Sequence, residues 1–190
     1  SGNDARFKRT IRQAMRRYAR FAVVKIFQAM RRVNDEACLI SSYLDFASIY
    51  TIAMSLQSVK DFFSSRHIDI EIIELPVSTA TVALAAEAHG VEPGQIAKTL
   101  AFRLNDGRVV LVVAKGDARI DNKKFKDAFG KGKMLGLEDV ADITGHPVGG
   151  VCPFGLASPL PVYLDVSLKT YNEVIPAAGS VNSAIRISPE

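Results

Sequence analysis

The spacing of hydrophobic and polar positions changes near residue 54. Between residues 5 and 33, apolar residues recur every three or four positions, as on one face of an α-helix, and arginines fill much of the remainder. Residues 34–53 are apolar with few charges and also predict a helix. From Met54 onward, short apolar or alternating runs are separated by Gly and Pro. We therefore expect a helical extension at 1–53 and a separate domain at 54–190. The apolar face of the first helix comprises Phe7, Ile11, Met15, Tyr18, Ala22, Ile26 and Met30.

Four helices are predicted within the domain, at 55–66, 78–90, 121–130 and 136–145. The second is expected to begin at a Ser78 or Thr79 cap and to end at Gly90, and the third to begin at an Asp121 cap, because these residue types satisfy free backbone groups at helix ends.

Strands are predicted at 68–75, 96–104, 108–115, 161–168 and 183–188. Asn105-Asp106-Gly107, set between two apolar runs, predicts a hairpin. Strands and short helices alternate without a regular βαβ rhythm. This pattern favours an α+β fold with a mostly antiparallel, barrel-like mixed sheet surrounded by short helices, in addition to the N-terminal helical extension.

Charge separates the two parts of the chain further. Residues 1–53 hold 10 Lys and Arg against 4 Asp and Glu, net +6, whereas residues 54–190 hold 14 against 16, net −2. The basic extension is open to three interpretations: an arm for RNA or an anionic membrane surface, a solvated helix whose apolar face packs on the domain, or an appended leader. We favour the solvated helix, because arginine-rich exposed helix faces are common.

Several classes of protein are disfavoured. Two cysteines cannot build a disulfide framework, which favours a cytoplasmic protein. No apolar run reaches eighteen residues and no signal peptide is evident, so we expect neither a membrane span nor membrane contact. The spacing of His67, His89 and His146 does not indicate a zinc site, and phosphate-loop, dinucleotide-binding and nucleophile-elbow motifs are missing. We expect neither a metal nor a cofactor.

Two features remain as candidates for chemistry. Lys98 is a lone charge within an apolar strand. Its side chain either points to solvent, as every second strand residue can, or binds an anionic group in a cavity. Gly149-Gly150, in the loop 146–155, allows close backbone approach and N–H donation to an oxyanion, or simply makes a tight connection. A second small-residue loop at 177–180 is equally ambiguous. Cys152 is interpreted as a packing residue rather than a nucleophile, because no base accompanies it.

Three stretches occur in the order and spacing of a known family: IAKTLAF (96–102), GHPVGGVCPFG (145–155) and AAG (177–179). The chain from Met54 onward resembles the YbaK family of prolyl-tRNA-editing domains, which usually continues into one more helix after RISPE. The resemblance implies a YbaK-like fold. It also implies a freestanding deacylase that acts in trans on the ester of mischarged tRNA, most often tRNA for proline.

The resemblance also implies site residues and partners. Lys98, contacting the terminal nucleotide or the ester carbonyl, and Gly150 would be catalytic. Water would attack with help from a ribose hydroxyl. The partners would be the acceptor end of aminoacyl-tRNA and prolyl-tRNA synthetase, and not DNA. The residues that would bind substrate are Thr99, Gly149, Val151, Cys152, Ala177, Ala178 and Gly179.

The chain departs from the family at three positions. Ala177 and Ala184 stand where members specialised for cysteinyl-tRNA carry serine and aspartate, and Cys152 stands where serine or proline is usual. We expect a more apolar pocket, for which alanine or another small aliphatic amino acid is as good a substrate as cysteine. The alternative is a non-catalytic module of the same fold that binds tRNA or an amino acid. Retention of Lys98 and the Gly-Gly loop favours the enzyme.

Overall fold

The computed structural model describes residues 55–190, so the extension predicted at 1–53 lies outside the described residues. Helix α1 occupies residues 55–64, followed by α2 (Val82–His89), α3 (Asn122–Phe129) and α4 (Leu137–Thr144). Two 3₁₀ turns lie at Pro93–Gln95 and Val166–Thr170. The strands are β1 (Ile73–Glu74), β2 (Ile96–Leu104), β3 (Val109–Lys115), β4 (Gly132–Met134), β5 (Val162–Leu164), β6 (Ile175–Pro176) and β7 (Ser183–Ala184).

The main sheet is built around the β2–β3 hairpin. These strands are antiparallel, with Lys98 opposite Ala114, and the sheet runs in the order β4-β2-β3-β5. β4 is antiparallel to β2, whereas β5 is parallel to β3 and β6 is parallel to β2. β1 and β7 form a separate antiparallel pair. The prediction of a mixed sheet with short helices is confirmed. The barrel-like closure is not confirmed, because β4 and β5 end the sheet with no further partner strand among residues 55–190.

One edge of β2 is interrupted. β6 pairs with it at Ile96 and Ala97, and β4 pairs with it from Phe102 to Leu104. Residues 98–100 have no partner strand on this edge among residues 55–190. The Leu135 N–H donates to the Ala101 carbonyl across the same edge, so odd-numbered residues direct their backbone groups toward it. The N–H and C=O of Thr99 therefore open onto a gap in the sheet.

Both faces of the hairpin are covered by apolar side chains. On one face, Phe102 packs against Phe125 of α3, with ring centroids 4.6 Å apart. On the other, Leu111 packs with Val140 of α4. These contacts hold β2 between two layers, which orders the strand that carries Lys98. Among the described residues, no helix has the length and apolar character to cross a bilayer.

Local signals predicted the hairpin and most helix ends. β2 spans the predicted 96–104, Asp121 caps α3 by accepting from the N–H groups of Lys123 and Lys124, and Gly90 ends α2 with a φ of +66°. The predicted cap of α2 was wrong, since Thr81 caps it instead. The Thr79 hydroxyl is engaged elsewhere, donating to the Val181 carbonyl over 3.1 Å.

Strands that depend on distant partners differ more from prediction. Of 68–75 only Ile73–Glu74 is strand, because its partner β7 is two residues long. Of 161–168 only Val162–Leu164 is strand, because Asp165 accepts from the Ser167 N–H and starts a 3₁₀ turn. Of 183–188 only Ser183–Ala184 is strand, with an isolated bridge from Val174 to Ile187. β4 and β6 were not predicted, because their pairing is set by β2.

Candidate active site

A cleft of about 290 Å³ opens along the interrupted edge of β2. Its walls are the face of α2, the start of α4, the loop from Val148 to Val151, and the β6–β7 region. This volume is at the small end for ligand sites, which are typically about 300–1,000 Å³. Six alanines line it, so the cleft suits a small ligand group. They are Ala80, Ala85, Ala97, Ala101, Ala177 and Ala184.

Lys98 lines the cleft and its ammonium group is anchored. Its Nζ donates to the Gly116 carbonyl over 2.8 Å and also to the Ala118 carbonyl, both in the segment that follows β3. Burial lowers the pKa of Lys98, and the nearby Asp117 carboxylate opposes that shift. An ammonium has three donors, so one N–H remains for a ligand after the two carbonyls are satisfied.

Two buried polar atoms at the cleft have no hydrogen-bond partner among residues 55–190. They are Oγ1 of Thr99 and Nε2 of His89. Burial, and secondarily the charge of Arg186, lowers the pKa of His89, which favours the neutral imidazole. Buried polar groups are nearly always paired, so these two atoms mark positions where a bound molecule can supply the missing partners.

The glycine loop is wedged between two other segments. Gly149 has a φ of +88°, and a Cβ there would lie 2.7 Å from the Cβ of Ala80. A Cβ on Gly150 would lie 2.8 Å from the carbonyl carbon of Ser180. The Gly150 N–H donates to the Pro147 carbonyl over 2.9 Å, closing a turn. The N–H groups of Gly149 and Val151, which line the cleft, have no acceptor among the described residues.

Cys152 lies behind the loop in the hydrophobic core and is not exposed. Burial raises the pKa of its thiol to about 12, so a thiolate is scarce at neutral pH. His146, also buried, donates from Nε2 to the Phe154 carbonyl over 2.7 Å. The packing interpretation of Cys152 agrees with this geometry. Among residues 55–190, no group of three His, Cys, Asp or Glu side chains is placed to hold a metal ion.

The cleft brings together five of the residues predicted from sequence: Lys98, Thr99, Gly149, Val151 and Ala177. The other four lie behind its lining: Gly150, Cys152, Ala178 and Gly179. Their roles in binding or catalysis stay predictions. In the structure, they pack the loop 145–155 closely against the loop 177–180. Sequence reasoning missed His89 as a cleft residue. The available signal was its spacing from Val82 and Ala85, which lie seven and four positions before it on one face of α2.

Comparison with known proteins identifies the family to which the sequence is similar and several related proteins. The sequence pattern of the family described as Aminoacyl-tRNA editing domain matches residues 77–190. The chain is 51% identical over 138 residues to an uncharacterized protein of Bacillus subtilis named YwhH, which covers 72% of this chain and 88% of that protein. It is 36% identical over 107 residues to an Enterococcus faecalis protein provisionally named Cys-tRNA(Pro)/Cys-tRNA(Cys) deacylase EbsC, covering 55% of this chain and 65% of that one.

A solved structure shares the fold. It is the crystal structure of a candidate trans-editing enzyme for prolyl tRNA synthetase, with a TM-score of 0.65 and 36% sequence identity over 71% of this chain and 87% of that chain. The family pattern covers more than half of the 190 residues, and its range contains the cleft and all nine predicted site residues. The chain belongs to the family of aminoacyl-tRNA editing domains.

Proposed function

We propose that this protein is a trans-acting aminoacyl-tRNA deacylase that hydrolyses the ester of mischarged tRNA, with tRNA for proline carrying a small amino acid as substrate. The observation that carries the proposal is the cleft of an editing-domain fold in which Lys98, Gly149 and Val151 line one small cavity. The names of the Enterococcus relative and of the solved neighbour point to the same reaction and to a working relationship with prolyl-tRNA synthetase.

The proposed roles follow from the donors that remain available. The third N–H of Lys98 binds the terminal nucleotide or the ester carbonyl of the acceptor end. The N–H groups of Gly149 and Val151 stabilise the negative charge that develops on the carbonyl oxygen. Gly150 and Gly179 allow the two loops to pack closely behind these donors. Thr99 and His89 complement a hydroxyl or amino group of the substrate.

Hydrolysis by these groups needs no covalent enzyme intermediate. A water oxygen bonds to the ester carbonyl carbon, the bond from that carbon to the ribose oxygen breaks, and the ribose oxygen takes a proton. Cys152 is unsuited as a nucleophile, because its thiol is buried and has a pKa of about 12. We propose that water, positioned with help from the neighbouring ribose hydroxyl, is the attacking group.

The lining of the cleft bears on the amino acid that is removed. Ala177 and Ala184 bridge each other across an antiparallel pair and both face this cavity as lining residues. Two methyl groups here favour a small aliphatic side chain over one that needs a polar partner. We propose that alanine is removed at least as fast as cysteine. Exclusive hydrolysis of cysteinyl-tRNA, in a panel of alanyl-, cysteinyl- and seryl-tRNA for proline, would contradict this assignment.

The test of function is a deacylation time course on that panel with Lys98→Met beside the wild type. Methionine keeps an unbranched side chain and removes the ammonium, so we expect kcat/KM to fall by about 10²-fold or more while the fold persists. Lys60→Met is the matched control, since Lys60 makes only an exposed salt bridge with Glu74.

The alternative function is a non-catalytic module that binds tRNA or an amino acid. Wild-type protein that binds tRNA but hydrolyses no charged species would establish that alternative. A Lys98→Met variant with full activity would remove Lys98 from the chemistry while leaving the reaction in place.

A further inference from the structure

Positive charge is concentrated in one segment of an otherwise acidic domain. Residues 119–133 hold six basic and two acidic residues, net +4, whereas the remainder of 55–190 holds eight basic and fourteen acidic, net −6. We call residues 119–133 the basic segment. Its basic residues are Arg119, Lys123, Lys124, Lys126, Lys131 and Lys133.

These charges are accessible. All six basic residues are exposed, and none of them forms a salt bridge with another described residue. The carboxylate of Asp121 caps α3 by accepting from two backbone N–H groups. Phe125 and Phe129 pack inward as part of the cluster around Phe102, which holds α3 in place and leaves its lysines on the solvent side.

The basic segment leads directly into the cleft. β4 pairs with the C-terminal half of β2, and Met134 and Leu135 line the cleft. Lys133 immediately precedes Met134, and Lys131 lies three residues before it, which is at most about 10 Å of extended chain. A nucleic acid whose end occupies the cleft therefore has lysines beside its next phosphates.

We propose that the basic segment is the docking surface for the sugar–phosphate backbone of an RNA acceptor stem whose 3′ end enters the cleft. This inference rests on the proposed function and deepens it. Lysine ammonium groups suit phosphates as mobile point charges, and their contacts are independent of base sequence. The acidic remainder of the domain repels the RNA elsewhere, so the segment also orients the stem toward the cleft.

The test compares two triple variants that each remove three positive charges. Lys123→Gln/Lys126→Gln/Lys133→Gln alters the basic segment. Lys60→Gln/Arg108→Gln/Lys169→Gln is the control, because its residues are basic positions outside that segment. Binding of uncharged tRNA for proline is measured at several salt concentrations. Hydrolysis is measured on charged tRNA and on the matching 2′(3′)-O-aminoacyl-adenosine, which has the ester but no stem. Both variants keep residues 1–54, so any contribution of these residues to tRNA binding is the same in both.

We expect the basic-segment variant to lose at least tenfold in tRNA affinity and in kcat/KM on charged tRNA near 0.1 M salt. Its slope of log K against log salt should fall by about 2–3, since each phosphate contact contributes about 0.7–0.9. Hydrolysis of aminoacyl-adenosine should be unchanged, and the control should match the wild type in every assay.

Equal affinities and slopes in the two variants would overturn the docking surface. So would an equal loss on aminoacyl-adenosine, which would show that the substitutions act through the cleft. Competition by polyglutamate as strong as by RNA of the same charge would indicate an acidic protein partner and overturn the RNA assignment. Wild-type protein that hydrolyses neither substrate, yet shows the salt slope that the variant lacks, would refute the proposed function and support the docking surface.

Discussion

Lys98 shows how one strand side chain can be both half-buried and available to a ligand. Two carbonyls beyond β3, those of Gly116 and Ala118, accept from two of its N–H donors and fix the position of the ammonium of this cleft-lining residue. Desolvation lowers its pKa, whereas the Asp117 carboxylate raises it, and the two carbonyl acceptors favour the charged donor. The strand residue is therefore preorganised, and little is lost in ordering it when a substrate binds.

Thr99→Val tests the role of a second side chain of the cleft, the Thr99 hydroxyl. Valine has nearly the same shape as threonine and removes Oγ1, a buried atom with no partner among residues 55–190. We expect the free energy of unfolding to rise or stay within about 1 kcal/mol, because an unsatisfied buried hydroxyl costs about 1–3 kcal/mol. We expect kcat/KM for deacylation to fall about tenfold, because the substrate loses a hydrogen bond.

Thr99→Ser serves as the control that keeps the hydroxyl. Chemical denaturation and deacylation kinetics on the same preparations give both quantities. Full activity in Thr99→Val together with higher stability would show that the hydroxyl does not contact the substrate.

Among the structural elements, the loop from Gly145 to Gly155 packs closely on two distant segments at the cleft. It meets Ala80 at one end of its Gly-Gly pair and Ser180 at the other, and each approach leaves no space for a Cβ. Secondary structure alone does not demand these glycines, because the turn needs only one residue with positive φ. The contact with two distant segments requires both.

Gly149→Ala and Gly107→Ala separate backbone strain from crowding. Both glycines have nearly the same φ, +88° and +86°, but a Cβ on Gly107 would meet nothing within 4 Å. Gly107→Ala should lower the free energy of unfolding by about 1–2 kcal/mol and leave activity unchanged. Gly149→Ala should cost about 1–3 kcal/mol more through overpacking and lower kcat/KM at least tenfold.

The comparison uses urea unfolding and deacylation kinetics on both variants. If the two variants lost the same unfolding free energy and had the same activity, Ala80 would move aside readily. Activity would then not depend on the present position of the loop.

At the scale of the whole molecule, His146 links Ser55 of α1 to the glycine loop. Its Nδ1 lies 2.5 Å from the Ser55 hydroxyl oxygen, its Nε2 contacts the Phe154 carbonyl, and it is not exposed. Burial lowers the pKa of His146, and the bond to Phe154 opposes this only in part. The folded protein therefore keeps this imidazole neutral at pH values where the unfolded chain is already protonated.

Stability should consequently fall in mild acid. The unfolded pKa is about 6.5, so the contribution of His146 is fully present above that pH and is lost as pH falls toward the folded pKa. The pKa of His89 is also lowered, so His89 adds to the loss of stability as pH falls. We expect His146→Gln to flatten the slope of unfolding free energy against pH between 7 and 5, by up to about 1.4 kcal/mol per pH unit.

His67→Asn is the control, since His67 is exposed and lies in the left-handed region (φ 56°) that asparagine tolerates. Urea unfolding at several pH values gives the slopes. An unchanged slope in His146→Gln would show that the imidazole takes up its proton over the same pH range in the folded and the unfolded protein.

Much of the fold and part of the site could be predicted from the sequence. The β2–β3 hairpin, the Asp121 cap and the Gly90 stop follow from signals within a few residues, and they are confirmed. Lys98, Thr99, Gly149, Val151 and Ala177 were predicted from a resemblance in motifs, and they line one cleft. His89 was missed, because its spacing places it on one face of α2 with Val82 and Ala85 but does not show whether that face lines a cleft or the core.

The sequence by itself determined the elements that depend on residues close together in the chain. These are the capped helices, a tight turn, and a long apolar strand with one lysine. Tertiary structure alone decided where one edge of β2 has no partner strand among residues 55–190, because β4 and β6 reach that edge from distant positions and leave residues 98–100 between them. It also decided that the sheet stays open, and that the carbonyls of Gly116 and Ala118 hold the ammonium of Lys98. The physical reason is that pairing and packing between distant segments depend on which surfaces meet, and local propensity does not encode this.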